Sequence, residues 1–287
     1  RALTRVVQVE RLNRAGVDSG VAFSALRPVD VQTLKVSEGR LTGESGGASF
    51  ALAYAMSFIL YIALLLYGIQ VMSSVVEEKS SRLMEVLVSS LTPFQMLLGK
   101  VLGVGSVALL QIGIWAGTAM ALPTFRVQIA GLVGVPSSAV GSLPIPAVSP
   151  AMFAVFLLFF VLGFFFYSAM YAAVGSMCNS VQETQQAQMP ITVFIMAGFF
   201  GMFALLSEPA GSLARILSLV PFFAPFVTPV RYSFAPLPLV DLLLSIGAMV
   251  VGILIVVWIA ARIYRVGILS YGKKASFADV GRWIRQS

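Results

Sequence analysis

Histidine is missing from this 287-residue sequence, and cysteine occurs once, as Cys178. Together these absences exclude His-containing zinc sites, histidine-based catalytic triads and a disulfide framework. Cys178 itself reads as a small packing residue. Charge is scarce too: Asp, Glu, Lys and Arg make up 11% of the chain, against about 25% in soluble domains, while 58% is hydrophobic. That is the composition of a membrane protein. The apolar runs contain no GxSxG and no paired carboxylates, so an intramembrane protease or lipid transferase would lack its catalytic constellation. Residues 267–274, GILSYGKK, approach the phosphate-binding P-loop pattern. They lack the Ser or Thr that holds magnesium and follow an apolar run rather than a soluble strand, so no nucleotide site is expected in this chain.

What is present is a set of five apolar runs, each near the roughly 20 residues that cross a bilayer core. They predict spans at about 50–73, 101–122, 151–174, 189–206 and 239–261. The second is expected to end before Pro123, and the third opens on the helix-start pair Ser149-Pro150 and is rich in Phe. Gly99 and Gly103, then Gly113 and Gly117, recur at four-residue spacing along the second span, where packing within the subunit and dimerisation explain them equally well. The fold class is therefore all-α polytopic membrane protein. Residues 1–47 alone have ordinary soluble composition. They predict an amphipathic helix ending near Gly16 and a strand around Val29, Val31, Leu34 and Val36, with Gly43, Gly46 and Gly47 as the joint to the membrane. This small α/β piece cannot bury a core by itself and is expected to be the end of a larger domain.

The polar island at 76–100, VEEKSSRLMEVLVSSLTPFQMLLGK, separates the first two spans. At helical spacing Glu78 pairs with Arg82 and Arg82 with Glu85, while Leu83, Met84, Leu87 and Val88 form an apolar stripe. The helix should stop near Ser89-Ser90. A second should start at once, with Thr92 as cap, Pro93 at its first position and Gln95 closing a capping box. The island is thus predicted to be a folded amphipathic helix, a tight turn and a helix entering the membrane.

Two other polar stretches stand out. Residues 175–190 gather Gln182, Glu183 and Gln186 between spans three and four, either as a plain interfacial turn or as the inner mouth of a pathway. Residues 207–238 hold Pro209, Pro221, Pro225, Pro229, Pro236 and Pro238, which prevent one continuous helix. They predict short, broken or re-entrant helices sheltered by protein. Glu208, Arg231 and Asp241 are their charges, as interface anchors or as an outer gate. Lys79, Arg82 and Lys100 with the tail residues Arg262, Arg265, Lys273, Lys274, Arg282 and Arg285 outnumber Arg126, Arg215 and Arg231. The positive-inside rule then places the island and the basic tail at 267–287 in the cytoplasm and residue 1 outside.

The run EEKSSRLMEVLVSSLTPFQMLLGKVLG resembles the membrane subunit of ABC-2-type exporters, especially the sodium-exporting NatB-like branch. The resemblance implies domain boundaries at 1–47 for the end of an extracytoplasmic domain and 48–266 for the transmembrane domain. It also implies a sixth span upstream, in keeping with a sequence that opens on Arg1 rather than Met and reads as a fragment or processed chain. It implies a prokaryotic plasma-membrane permease that pairs with a like or unlike second permease. A separate cytoplasmic ATPase would bind ATP and Mg, so the chain is no enzyme by itself. The island would be the coupling segment, with Glu77, Glu78, Lys79, Arg82 and Glu85 as the coupling residues. Sodium, a hydrophobic drug and a lipid remain open as cargo. A secondary transporter driven by an ion gradient is the alternative reading, but the apolar spans offer few ion ligands and no internal repeat.

Overall fold

The computed structural model describes the backbone of residues 34–37, 40–81, 92–134, 149–205, 208–234 and 237–267, with most of the side chains from Phe50 onward. Two units are distinct along the chain, Arg1–Ser45 and Gly46–Ser287. In the first, β1 (Leu34–Ser37) runs antiparallel to β2 (Arg40–Ser45), pairing Lys35 with Thr42 and Ser37 with Arg40. Of the strand expected around Val29, Val31, Leu34 and Val36, the part at Leu34–Ser37 is present, and Val29 and Val31 lie outside the described residues. Gly43 lies inside its partner strand, and Gly46 and Gly47 open the next helix.

The second unit is helical. α1 (Gly46–Ser80), α2 (Pro93–Val133), α3 (Pro150–Met177) and α8 (Leu239–Gly267) are each long and apolar enough to cross a membrane. The expected fourth span is a shorter helix, α5 (Met189–Gly201), carried on by a 3-10 turn (Met202–Leu205). At 1.5 Å per α residue and 2.0 Å per 3-10 residue this rod is about 27 Å long, close to the hydrocarbon thickness. α4 (Val181–Ala187) links α3 to α5. α6 (Ser212–Leu219) and α7 (Ala224–Phe234) lie between the 3-10 turn and α8.

The core follows from composition. Along α3, Phe159, Phe160, Tyr167 and Tyr171 are fully buried, and α1 and α8 flank that helix. The Phe-rich stripe is therefore the centre of the bundle. α2 is the opposite case, with Leu110, Ile114, Phe125 and Leu132 exposed and open space beside Gly99, Gly103, Gly113 and Gly117. Among the described residues nothing packs against those glycines.

One expectation is corrected. The second span does not end before Pro123: α2 continues through it to Val133 and stops at Gly134, whose φ of 75° closes the helix in the left-handed conformation. A proline costs one backbone hydrogen bond, which a long membrane helix tolerates more readily than a short soluble one. At the island, α1 runs unbroken from the first span to Ser80, and the rest of the expected amphipathic helix lies outside the described residues.

α6 and α7 form the re-entrant element that the six prolines announced. Their turn lies deep in the bundle. A Cβ on Gly252, near the middle of α8, would stand 2.6 Å from the Pro221 ring, and one on Gly198 would stand 2.4 Å from Phe226. Tyr167 Oη donates to the Phe222 carbonyl at 2.6 Å, satisfying a backbone group that the broken helix leaves open. α7 is buried from Ala224 to Arg231 among α1, α3 and α5.

Candidate functional site

The bundle has two polar ends. At one, here the island end, the C-termini of α1, α3 and α8 converge on Lys79. Its side chain is buried, and its ammonium donates to the carbonyls of Ser176 and Gly267, both at 2.8 Å. Helix C-termini carry unpaired carbonyls and a partial negative charge, so a cation there satisfies the ends of two other helices at once. One residue earlier, Glu78 pairs with Lys100 of α2 at 2.5 Å, and Lys100 also donates to the Ser74 carbonyl at 3.1 Å. α2 begins on the predicted cap: Thr92 N–H donates to Gln95 Oε1 at 2.9 Å, and Gln95 N–H to Thr92 Oγ1 at 3.4 Å. Both flanks of the island segment are thereby fixed to membrane helices. Thr92→Ala should destabilise this entry by about 1 kcal/mol. Faster amide exchange at Gln95 and Met96 would register it; unchanged exchange would mean that the first turn stands without its cap.

Beside Lys79 the chain turns from α3 into α4. Ser180 caps α4 by accepting from the Glu183 N–H, and Glu183 Oε2 accepts from the Asn179 N–H at 2.9 Å. Cys178 is buried here. Burial pushes its thiol up from the ordinary value, neighbouring Glu183 adds to that, and Lys79 opposes it, so the sulfur stays protonated near neutrality. Behind this turn lies a cavity of about 700 Å³ between α3, α4, α5 and α8. Glu183, Gln186 and Cys178 edge it, and Val174, Met177, Ile191, Val256 and Ile259 form its apolar wall, with Phe222 from the re-entrant turn.

At the opposite end Arg231 is 3% exposed and fully engaged. Nη2 meets Asp241 Oδ2 at 3.2 Å, Nη1 donates to Ser218 Oγ at 2.7 Å, and Nε donates to the Pro209 carbonyl at 3.1 Å. Asp241 Oδ1 also takes Arg215 at 2.8 Å. Ser245 Oγ donates to the Ser218 carbonyl at 2.5 Å and shares a 2.8 Å hydrogen bond with Thr228. The network ties α6 and α7 to α8 (all its members but Pro209 lie on those three helices).

With this geometry in hand, the sequence family described as "ABC-2 family transporter protein" matches residues 12–262. This chain belongs to the ABC-2 transporter family. Among its relatives, "Uncharacterized protein YhaP" of Bacillus subtilis (strain 168) is 31% identical over 286 residues, covering 99% of this chain and 67% of YhaP. "Uncharacterized protein MJ1024" of Methanocaldococcus jannaschii is 30% identical over 275 residues, 95% of this chain and 63% of that protein. The ABC-2 chain thus spans about two thirds of the length of each. No solved structure matches it. It is a multi-pass membrane protein with the sequence of a transport component.

The structure places the predicted residues of this ABC-2 chain unevenly. Glu77 is exposed and Glu78 half-exposed at the end of α1, whereas Lys79 faces inward and binds within the chain. Arg82 and Glu85, with the apolar stripe beside them, lie outside the described residues, as do the tail at 268–287 and the amphipathic segment ending near Gly16. Glu183 and Gln186 line the cavity, but Gln182 is exposed and is not part of its wall. Arg231 and Asp241 meet, while Glu208 is exposed and outside their network. Sequence reasoning missed Arg215 as the second partner of Asp241, and missed Ser218, Thr228 and Ser245. The available signal was a polar residue inside apolar helices, which is costly to leave without a partner.

Proposed function

We propose that this chain is the permease subunit of an ATP-driven exporter, docked through its island to a separate cytoplasmic ATPase that binds ATP and Mg. The observation that supports this most is the anchoring of both flanks of the island: Glu78 to Lys100 on one side and the Thr92–Gln95 cap on the other. A partner that moves such a segment moves α1 and α2 with it. In this reading Glu77, Arg82 and Glu85 meet charges on the ATPase while Glu78 stays on Lys100 and passes the movement to α2, the island end is cytoplasmic, and ATP-driven closure of the ATPase reorients the helices. Lys79 acts from inside, holding α3 and α8 to the moving end of α1. A second permease, identical or not, completes the path, and the open glycine face of α2 suits close helix contact with it.

The test is co-purification from native membranes of the full-length chain, beside a version lacking residues 77–89. A Walker-motif ATPase bound to the first and lost from the second is the expected result. No ATPase with a folded chain would overturn the reading and bring a gradient-driven transporter forward. In the reconstituted complex, Arg82→Glu should leave ATP hydrolysis in place and reduce transport at least about tenfold, the effect of about 1.4 kcal/mol. Full transport by that variant would remove Arg82 from the coupling surface.

A further inference from the structure

We propose that the cavity between α3, α4, α5 and α8 holds an acyl chain of a membrane phospholipid, taken in sideways from the leaflet at the island end. This goes beyond the transport reading and stands with or without an ATPase. The site exists because of the re-entrant turn. Phe222 lies against Phe194 of α5, ring centroids 4.5 Å apart, and Pro221 fills the space that a Cβ on Gly252 of α8 would need. The two residues are wedged between α5 and α8, which among the described residues do not pack on one another. One turn further toward the island end, both helices line the cavity, through Pro190 and Ile191 on one side and Val256 and Ile259 on the other. Below the wedge is a slot whose back wall is the central helix, at Ala173, Val174 and Met177.

Depth and chemistry both fit an alkyl chain. The lining runs from Val256 to Ile263 on α8 and from Met170 to Met177 on α3, about 10 Å along each helix at 1.5 Å per residue. One leaflet holds about 15 Å of hydrocarbon, half of the bilayer core, so the slot lies within a single leaflet. Trp258 and Arg262, stacked at 3.8 Å near this end of α8, are residue types that settle at headgroup level. The slot's volume, about 700 Å³, is that of a small-molecule site. Its hydrocarbon wall has little to offer water, which needs about 2–4 polar partners, and left empty it would forfeit dispersion contacts. The polar corner calls for no ion. Glu183 interacts there with buried Lys79, whose ammonium also takes the Ser176 and Gly267 carbonyls, so the charge is balanced within the chain. A neutral chain below and a lipid head at the level of Glu183 and Gln186 match that gradient.

Photolabelling tests this in the full chain, reconstituted in nanodiscs with a phosphatidylcholine that carries a diazirine midway along one acyl chain. Tandem mass spectrometry after illumination maps the adducts. Outward residues such as Leu254 and Trp258 meet any bilayer chain and serve as the internal reference. Adducts on Ala173, Val174 and Met177 are the expected result. Ala173 is 6% exposed on the central helix, so a chain reaches it by way of the slot. Val256→Trp and, independently, Ile259→Trp each place a ring in the slot at a half-buried position. Both should lose the α3 adducts and keep the label on Leu254, with thermal melting showing that the variants are folded. Label confined to the outward faces of the parent chain would overturn the proposal. So would parent-level labelling of the α3 wall in both folded filling variants.

Discussion

Asp241→Ala will lower the unfolding free energy of the helical unit by about 3–5 kcal/mol, the cost of leaving one member of a buried ion pair alone. The acid accepts from Arg231 and Arg215, and Arg231 is 3% exposed on a helix enclosed by α1, α3 and α5. Without the carboxylate its guanidinium keeps Ser218 and the Pro209 carbonyl, both neutral, and loses its counter-charge. Asp241→Asn keeps an acceptor but not the charge and should fall between. Arg231→Met combined with Asp241→Leu should recover most of the loss, because a well-packed apolar pair of similar volume commonly equals a buried ion pair. Thermal unfolding in detergent micelles gives the ordering. A single Asp241→Ala variant as stable as the parent would mean that water reaches Arg231 and that the network is a surface feature.

Lys79→Ala should be nearly as costly, at about 3 kcal/mol. Two charge-assisted hydrogen bonds are lost, together with the packing of a buried four-carbon stem. Lys79→Met separates the contributions. It restores the volume but gives Ser176 and Gly267 no donor, so it should regain only part of the stability and leave the C-terminal turn of α8 loosened. Limited proteolysis just after Gly267 reports that turn independently of the global melt. Wild-type melting and cleavage in Lys79→Met would show that the ammonium is dispensable to the convergence of the three helix ends.

These two residues also mark what could and could not be read from the sequence. The start of α2 was legible because everything it needs lies within four residues: Thr92, Pro93 and Gln95 write the cap locally. The five apolar runs and the proline-broken segment were legible because length and backbone chemistry decide them. Lys79 was not. Its neighbours at Glu77 and Glu78 make it look like one more docking charge, and only carbonyls 97 and 188 residues away turn it inward. Arg231 and Asp241 were singled out together, but their bond to each other and to Arg215 depends on how α6 and α7 fold back against α8. Pro123 misled because the rule that proline ends helices weakens where a long apolar helix holds its backbone bonds on both sides. The cavity was half visible: Glu183 and Gln186 could be placed at a boundary, but its wall is assembled from four helices and a re-entrant turn.

The order of the network along the chain bears on how the protein is made. Arg231 precedes Asp241 by ten residues, and the helix that carries the acid follows the hairpin that carries the arginine. At about 5–20 residues per second, the hairpin leaves the ribosome about a second before its counter-ion does. During that interval the guanidinium has no anion to meet in hydrocarbon and stays in water. The hairpin therefore settles into the bundle after α8 has been threaded, although its sequence is translated first.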